Sequence, residues 1–428
     1  MIFLDCISIC NSIFDTIYHF FSSSLFQTAY RIGNSFTRTR KLDFFSLFLF
    51  LLRQYDKSCP INLLDFFEEF SSSRISSLSK QAISKARKGI HPQAFAELLS
   101  LSSSQFYLLS NNVRTWHGFH VLAVDGTTLQ MPQTKQNLEV FGASSNQTDV
   151  RFAIASASLL YDTLNDILLD AKINSYSYGE RLFAKEHLSA FSCLNLPLSP
   201  LFVFDRGYPC VELCRNLQKR GYSFVMRIKK NTPAIKKMKE KDGWISYGNP
   251  YPKGNQVRVR ALRILLPSGE EEYLITNLSD PNITLESFRE LYFLRWKVET
   301  KYWELKHRFQ IERFSGMTPW TIQQDFYITL FLSNVVSIIK KDTDKIIEEK
   351  TQGRKNKEQS YQTNRGMLIN RVKKYLLSFF TEIEKRESLW KKILDAGIKT
   401  RSQVRKNRSY ERKAKHTRRK YHSNRKSC

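Results

Sequence analysis

The sequence predicts an α/β protein. Its core is a mixed five-stranded sheet with flanking helices, interrupted by a β-rich insertion, preceded by a helical N-terminal region and followed by helices and a basic tail. Three observations carry this prediction. Residues 1 to about 115 are rich in Phe, Ser and Leu with helical periodicity and no strand alternation. From His120 the pattern changes to three successive strand-like runs joined by short turns, HVLAVDG, RFAIASASLLYD and DILLDAKINSY. After them, helical and strand-like stretches alternate.

Each element follows in turn. Within the N-terminal region, SLSKQAISKARKGIHPQAFAELL reads as two short helices broken at Gly89 and Pro92, with Lys80, Lys85, Arg87 and Lys88 near the first. That cluster is either a helix-turn-helix-like unit for recognising DNA or a scaffold helix with a solvated basic face. The three runs from His120 form an antiparallel meander. A polar helix around Gly179 to Phe191, the strand LFVFD, a helix around Pro209 to Arg220 and the strand YSFVMRIKK complete the core. This β-β-β-α-β-α-β order is that of a ribonuclease-H-like fold. On it the first and fourth strands lie side by side, so Asp125 in HVLAVDGTTLQ and Asp205 in LFVFDRGYP would meet although 80 residues separate them. Each aspartate ends a buried-strand run, Val121 to Val124 or Leu201 to Phe204, and turn-forming sequence with Gly126 or Gly207 follows.

Beyond the core, VRVRALRILLP and EEYLITN alternate across SGE and predict a hairpin within an insertion over residues 232–284. PWTIQQDFYITLFLSNVVSII predicts a long apolar helix packed on the catalytic core, with Pro319 in its first turn. KKDTDKIIEEKTQGRKNKEQSYQTNRG is polar and expected to be partly disordered. A helix near Met367 to Phe380 follows, and the tail 401–428 has too few apolar residues to fold alone. The expected division is therefore 1–115, core 116–231, insertion 232–284, core 285–345 and a polar, basic region 346–428.

The segment LYFLRWKVETKYWELKHRF aligns Tyr292, Arg295, Glu299 and Lys306 at offsets of zero, three, seven and fourteen, one stripe at about 100° per residue. Taken alone, it is an amphipathic helix with an exposed Arg295–Glu299 pair and with Tyr292, Trp296 and Trp303 packed inward. Set beside Asp125 and Asp205, Glu299 becomes the third member of a carboxylate cluster. Three carboxylates brought together raise one another's pKa unless cations neutralise them, and hard oxygen ligands select Mg²⁺ or Mn²⁺ over zinc.

The chain resembles the DDE transposases of bacterial insertion sequences, specifically the insertion-sequence-four family. That family's signature of Tyr, two residues, Arg, three residues, Glu, six residues and Lys is matched by Tyr292, Arg295, Glu299 and Lys306. DGT and DRGY resemble its two aspartate motifs, and the likeness covers roughly residues 70–340. The resemblance implies metal-dependent DNA strand cleavage and strand transfer at transposon ends, with Asp125, Asp205 and Glu299 holding two Mg²⁺ ions, Mn²⁺ serving as a substitute. It implies Arg295 and Lys306 on phosphates, Tyr292 bonding or packing there, and Arg206 either on backbone phosphate or in a structural salt bridge. An insertion aromatic can receive a flipped base, and Trp244 is the tryptophan in this insertion, although an ordinary core role is equally open. The implied partners are double-stranded DNA, as terminal inverted repeats and target, and a second copy of the chain, since two ends must be paired.

Composition agrees. The formal net charge is +27 at pH 7, and residues 401–428 carry twelve Lys and Arg against Glu411, leaving +16 on the first 400 residues. Such an excess suits a polyanionic partner and steep salt dependence. Seven scattered cysteines form no zinc array and fit a reducing cytoplasm. No signal peptide is expected, because Asp5 interrupts the N-terminus. The longest apolar run, Phe44 to Leu52, is far shorter than the roughly twenty residues a membrane span needs. A tyrosine recombinase is excluded: His416-x-x-Arg419 is followed far too closely by Tyr421. A plain ribonuclease-H-fold nuclease would need neither the insertion nor the helical N-terminal region. A domesticated or catalytically silent DNA-binding protein would not need the intact carboxylates.

Overall fold

The computed structural model describes residues 5–38, 42–53, 59–70, 78–145, 151–251, 255–266, 269–351 and 360–404. The basic tail beyond residue 404 lies outside the described residues. The chain forms two compact units, one of residues 112–130 and 141–304, the other of residues 1–111, 131–140 and 305–428.

The first unit is built on a sheet of nine described strands: β1 (His120–Gln130), β2 (Ala143–Ser145), β3 (Arg151–Asp162), β4 (Ile167–Ser175), β5 (Pro200–Phe204), β6 (Ser223–Ile228), β7 (Asp242–Gly248), β8 (Gln256–Leu265) and β9 (Glu271–Thr276). Their order is β2-β3-β1-β5-β6-β9-β8-β7, with β4 also on β3. β1, β3 and β4 are the antiparallel meander, while β5 and β6 continue from β1 in parallel. Taking those five as the core, the order 4-3-1-5-6 with its antiparallel half and parallel half is the ribonuclease-H-like arrangement. The parallel strands read as continuous apolar runs because both faces are covered. Leu201 to Phe204 are all fully buried, as are Val121 to Val124.

The sheet is larger than the expected five strands. β9 pairs antiparallel with β6, so residues of the insertion extend the same sheet. The expected hairpin is present: Leu265 faces Glu271 and Gly269 turns the chain at a φ of +82°. The core between this sheet and the helix Leu285–Leu294 joins Val121, Val203 and Val225 to Leu262, Leu274, Phe288 and Leu291.

The second unit is helical. Helix Pro319–Thr351 belongs to it and not, as expected, to the catalytic unit. Its buried polar residues find their partners on the N-terminal helices: Arg87 donates to Gln324, to the Thr321 carbonyl and to Asp325, and Asn334 donates to Ser102. Arg87 is therefore a structural residue whose guanidinium is withdrawn from solvent. This helix also runs on through Lys340 to Thr351, where disorder was expected, with Ile339 and Ile347 buried. It is long and apolar enough to cross a membrane, but its apolar stretch is mostly buried inside the protein. The phenylalanines of the N-terminal region fill the same unit: Phe14 stacks on Phe379 and Phe21 on Phe48.

Candidate active site

Asp125 and Asp205 are set by strand pairing. Val124 and Phe204 are paired neighbours in parallel strands, so Asp125 and Asp205 follow side by side, Asp205 just past the end of β5 and Asp125 within β1, which runs on against β3 to Gln130 where a turn at Gly126 was expected. Strand carboxyl ends are where α/β sheets build sites. The loop that carries Asp205 is held from helix Glu180–Leu194: Arg181 donates to the Gly207 and Pro209 carbonyls at 3.2 Å each. Glu180 of the same helix sets its carboxylate against Gly207, where a Cβ would displace it.

The third carboxylate comes from a helix. The expected single stripe is broken into helix Leu285–Leu294 and helix Lys297–His307, with Arg295 and Trp296 in the turn between them. Backbone bonds there close on the third residue back, from Arg295 to Tyr292 and from Glu299 to Trp296, a tightened turn that keeps the helical direction. Tyr292 points inward with the core, whereas Trp296 and Trp303 are exposed, opposite to the amphipathic reading.

Arg295 is the centre of the site. Its side chain is 2% exposed, with Nη1 3.9 Å from Asp125 Oδ2 and Nη2 3.9 Å from Asp205 Oδ2 and 3.4 Å from Glu299 Oε1. Tyr292 Oη donates to Asp205 Oδ1 at 3.1 Å. One guanidinium thus faces three carboxylates from three separate elements, and its Nε is buried with no hydrogen-bond partner among the described residues. The Asp125 carboxyl is pushed up to about 6: burial raises it most, Arg295 and the Gly126 N–H offset part of this, and Glu299 and Asp205 raise it further. Burial likewise drives the Tyr292 hydroxyl far above its ordinary value, which keeps it a neutral donor.

The donor set suits a hard divalent cation, because three carboxylates with one already proton-hungry call for more positive charge than one guanidinium supplies. Among the described residues no three His, Cys, Asp or Glu side chains stand at metal-holding spacing, and the acids surround Arg295 instead.

The other candidates are dispersed. Lys306 is half-exposed in the last turn of the Glu299 helix. Arg206 is exposed beside Asp205, and its charge acts on Glu272. Trp244 is 44% exposed on β7 with the Arg258 guanidinium 5.1 Å over its ring, four strands from β5. At ordinary strand spacing that is on the order of 20 Å.

The sequence profile described as Transposase DDE domain matches residues 116–335, just over half of the chain. The chain belongs to the DDE transposase family. Among solved structures, this transposase-family chain is similar to one titled "Cryo-EM structure of piggyBac transposase synaptic complex with hairpin DNA". The two share 11% identity over 90% of this chain and 84% of that one, at a TM-score of 0.45. No curated protein matches it. The family match begins four residues before β1 and ends within helix Pro319–Thr351, so Asp125, Asp205 and Glu299 all fall inside it. DDE transposase domains generally work with divalent metal ions.

Sequence reasoning missed Tyr302, which lies three residues after Glu299 and donates to the Asp125 carbonyl at 2.7 Å. The available signal was its spacing, one helical turn from an acid already singled out.

Proposed function

We propose that this chain is the transposase of an insertion sequence of the insertion-sequence-four type, with the Tyr292–Arg295–Glu299–Lys306 signature, and that it cuts and joins DNA at the element's ends. The observation that carries this reading is the convergence of Asp125, Asp205 and Glu299 on the buried Arg295. Asp125, Asp205 and Glu299 would hold the divalent cation, Mg²⁺ with Mn²⁺ as a substitute and two ions in the working enzyme. When bound, the metal activates a water or a DNA 3′-OH for attack on phosphorus and stabilises the leaving oxygen.

The chain's own residues do the rest. Tyr292 holds Asp205 in orientation through its hydroxyl. Arg295 keeps the acids together in the absence of metal, and this reading gives it the clamping of a phosphate near the element's end when DNA is bound. Lys306 and Arg206 add positive charge for the DNA backbone, and Trp244 stacks on a base displaced from the duplex. The liberated 3′-OH is the nucleophile of strand transfer, so no covalent enzyme intermediate forms. The partners are terminal inverted repeats and target DNA, bound by two copies of the chain, in the cytoplasm on the nucleoid.

The test incubates purified protein with a plasmid carrying the gene's own flanking DNA, in Mg²⁺ and in EDTA, beside Glu299→Ala. Excision by the wild type in Mg²⁺ alone, absent in the variant, supports the reading. End-specific binding without cutting under any condition would replace it with that of a silent DNA-binding protein.

A further inference from the structure

The Asp125 main chain is held by side chains that the transposase signature does not include. Its carbonyl oxygen accepts two side-chain hydrogen bonds, from Tyr302 Oη at 2.7 Å and from Ser158 Oγ at 3.1 Å. Ser158 sits on β3 opposite Gly126, the residue after Asp125. Its hydroxyl is held in turn by His187 Nε2 at 2.9 Å, and His187 Nδ1 lies 2.7 Å from Asp170 Oδ2 on β4. Lys172 Nζ reaches the other Asp170 oxygen at 3.1 Å.

Ser158, His187 and Asp170 have the order of contacts found in a hydrolase triad, but the surroundings rule that use out. Ser158 and His187 are both 0% exposed, so no substrate reaches the hydroxyl, and that hydroxyl is spent on a main-chain carbonyl. A chain of polar groups whose inner members, Ser158 and His187, are fully buried and whose outer member Asp170 is mostly so rigidifies what it ends on. Here it ends on the residue that carries the first carboxylate. Tyr302 adds a second constraint. It stands on the Glu299 helix, so its bond ties the element bearing one acid to the strand bearing another.

We propose that Tyr302 and Ser158, the latter backed by His187 and Asp170, are positioning residues that fix Asp125 relative to Glu299 for binding a divalent cation. The inference rests on the functional reading above. Groups that orient ligands without touching the metal typically contribute about 10- to 100-fold in affinity.

The test is a Mn²⁺ titration of the full chain without DNA, with free Mn²⁺ read by electron paramagnetic resonance, for wild type, Tyr302→Phe and Ser158→Ala. Tyr302→Phe removes one oxygen and keeps the ring, and is expected to weaken Mn²⁺ binding roughly tenfold with little change in unfolding temperature. Ser158→Ala should act in the same direction. Equal Mn²⁺ affinity in all three proteins would overturn the proposal, as would a loss of affinity matched by a loss of thermal stability, which would make the role structural. A wild type that binds no Mn²⁺ would overturn the functional reading and this inference with it, a result distinct from equal, measurable affinities.

Discussion

Asp125 is the residue at which burial and charge are most finely opposed. Its carboxyl is pushed up to about 6 in the folded protein, above the ordinary range near 4. A proton therefore binds the folded, metal-free chain more tightly than the unfolded one. The stability Asp125 contributes is full below the unfolded value and is lost as pH rises through 6, a change on the order of 3 kcal/mol. Asp125→Asn cannot titrate and lacks this pH dependence. In urea unfolding with EDTA, wild type should lose stability relative to Asp125→Asn between pH 4 and pH 7, and a constant difference would contradict the assignment. That Asp125 and Asp205 belong together was legible in the sequence, because each ends a short apolar run; the turn expected at Gly126 is absent, since β1 continues to Gln130 against β3. The burial of Arg295 was not legible. A guanidinium is ordinarily a surface group, and only the arrival of Asp125 and Asp205 from distant parts of the chain, beside the local Glu299, makes its withdrawal from water tolerable.

At the scale of elements, the meander and the two strands after it were readable from periodicity, since one face or both faces of each strand are buried. The joining of β9 to β6 was not readable, because pairing between antiparallel edges is decided by which edge is open and leaves no mark on local pattern. The break at Arg295 and Trp296 was also invisible: no proline or glycine marks it, and both flanking stretches read as helix. One glycine in the insertion has a defined task. Gly248 ends β7 at a φ of +123°, and a Cβ there would run into the Asn255 carbonyl oxygen and come within 2.6 Å of Val211 Cγ2. Backbone and side chain both forbid a larger residue, so Gly248→Ala should cost about 2 to 4 kcal/mol in denaturant unfolding. A loss under about 0.5 kcal/mol would show that the β7–β8 turn relaxes freely.

The chain passes from the helical unit into the sheet-based one at residue 112, back at 131, into it again at 141 and back after Glu304. The assembly of the helical unit from both ends of the sequence was beyond reach of local reading. Its clearest expression is the buried pair of Arg87 and Asp325, with side chains 3% and 5% exposed and a spacing of 2.8 Å. Asp325 also accepts from the Ser315 N–H at 2.6 Å. Removing one partner strands the other in the interior, and Asp325→Ala should destabilise this unit by about 3 to 5 kcal/mol. Calorimetry should place that loss in the helical unit's transition. A variant that melts like wild type would mean the pair is open to water.

The central claim is that three carboxylates on one sheet edge and one helix cut DNA together. The most direct measurement is single-turnover cleavage of an element-end duplex in Mg²⁺ by Asp125→Asn, Asp205→Asn and Glu299→Gln, with end binding followed in parallel. The account predicts that each substitution lowers the cleavage rate at least about 1,000-fold while end binding stays within a few-fold of wild type. Cleavage that survives any one of the three would contradict it.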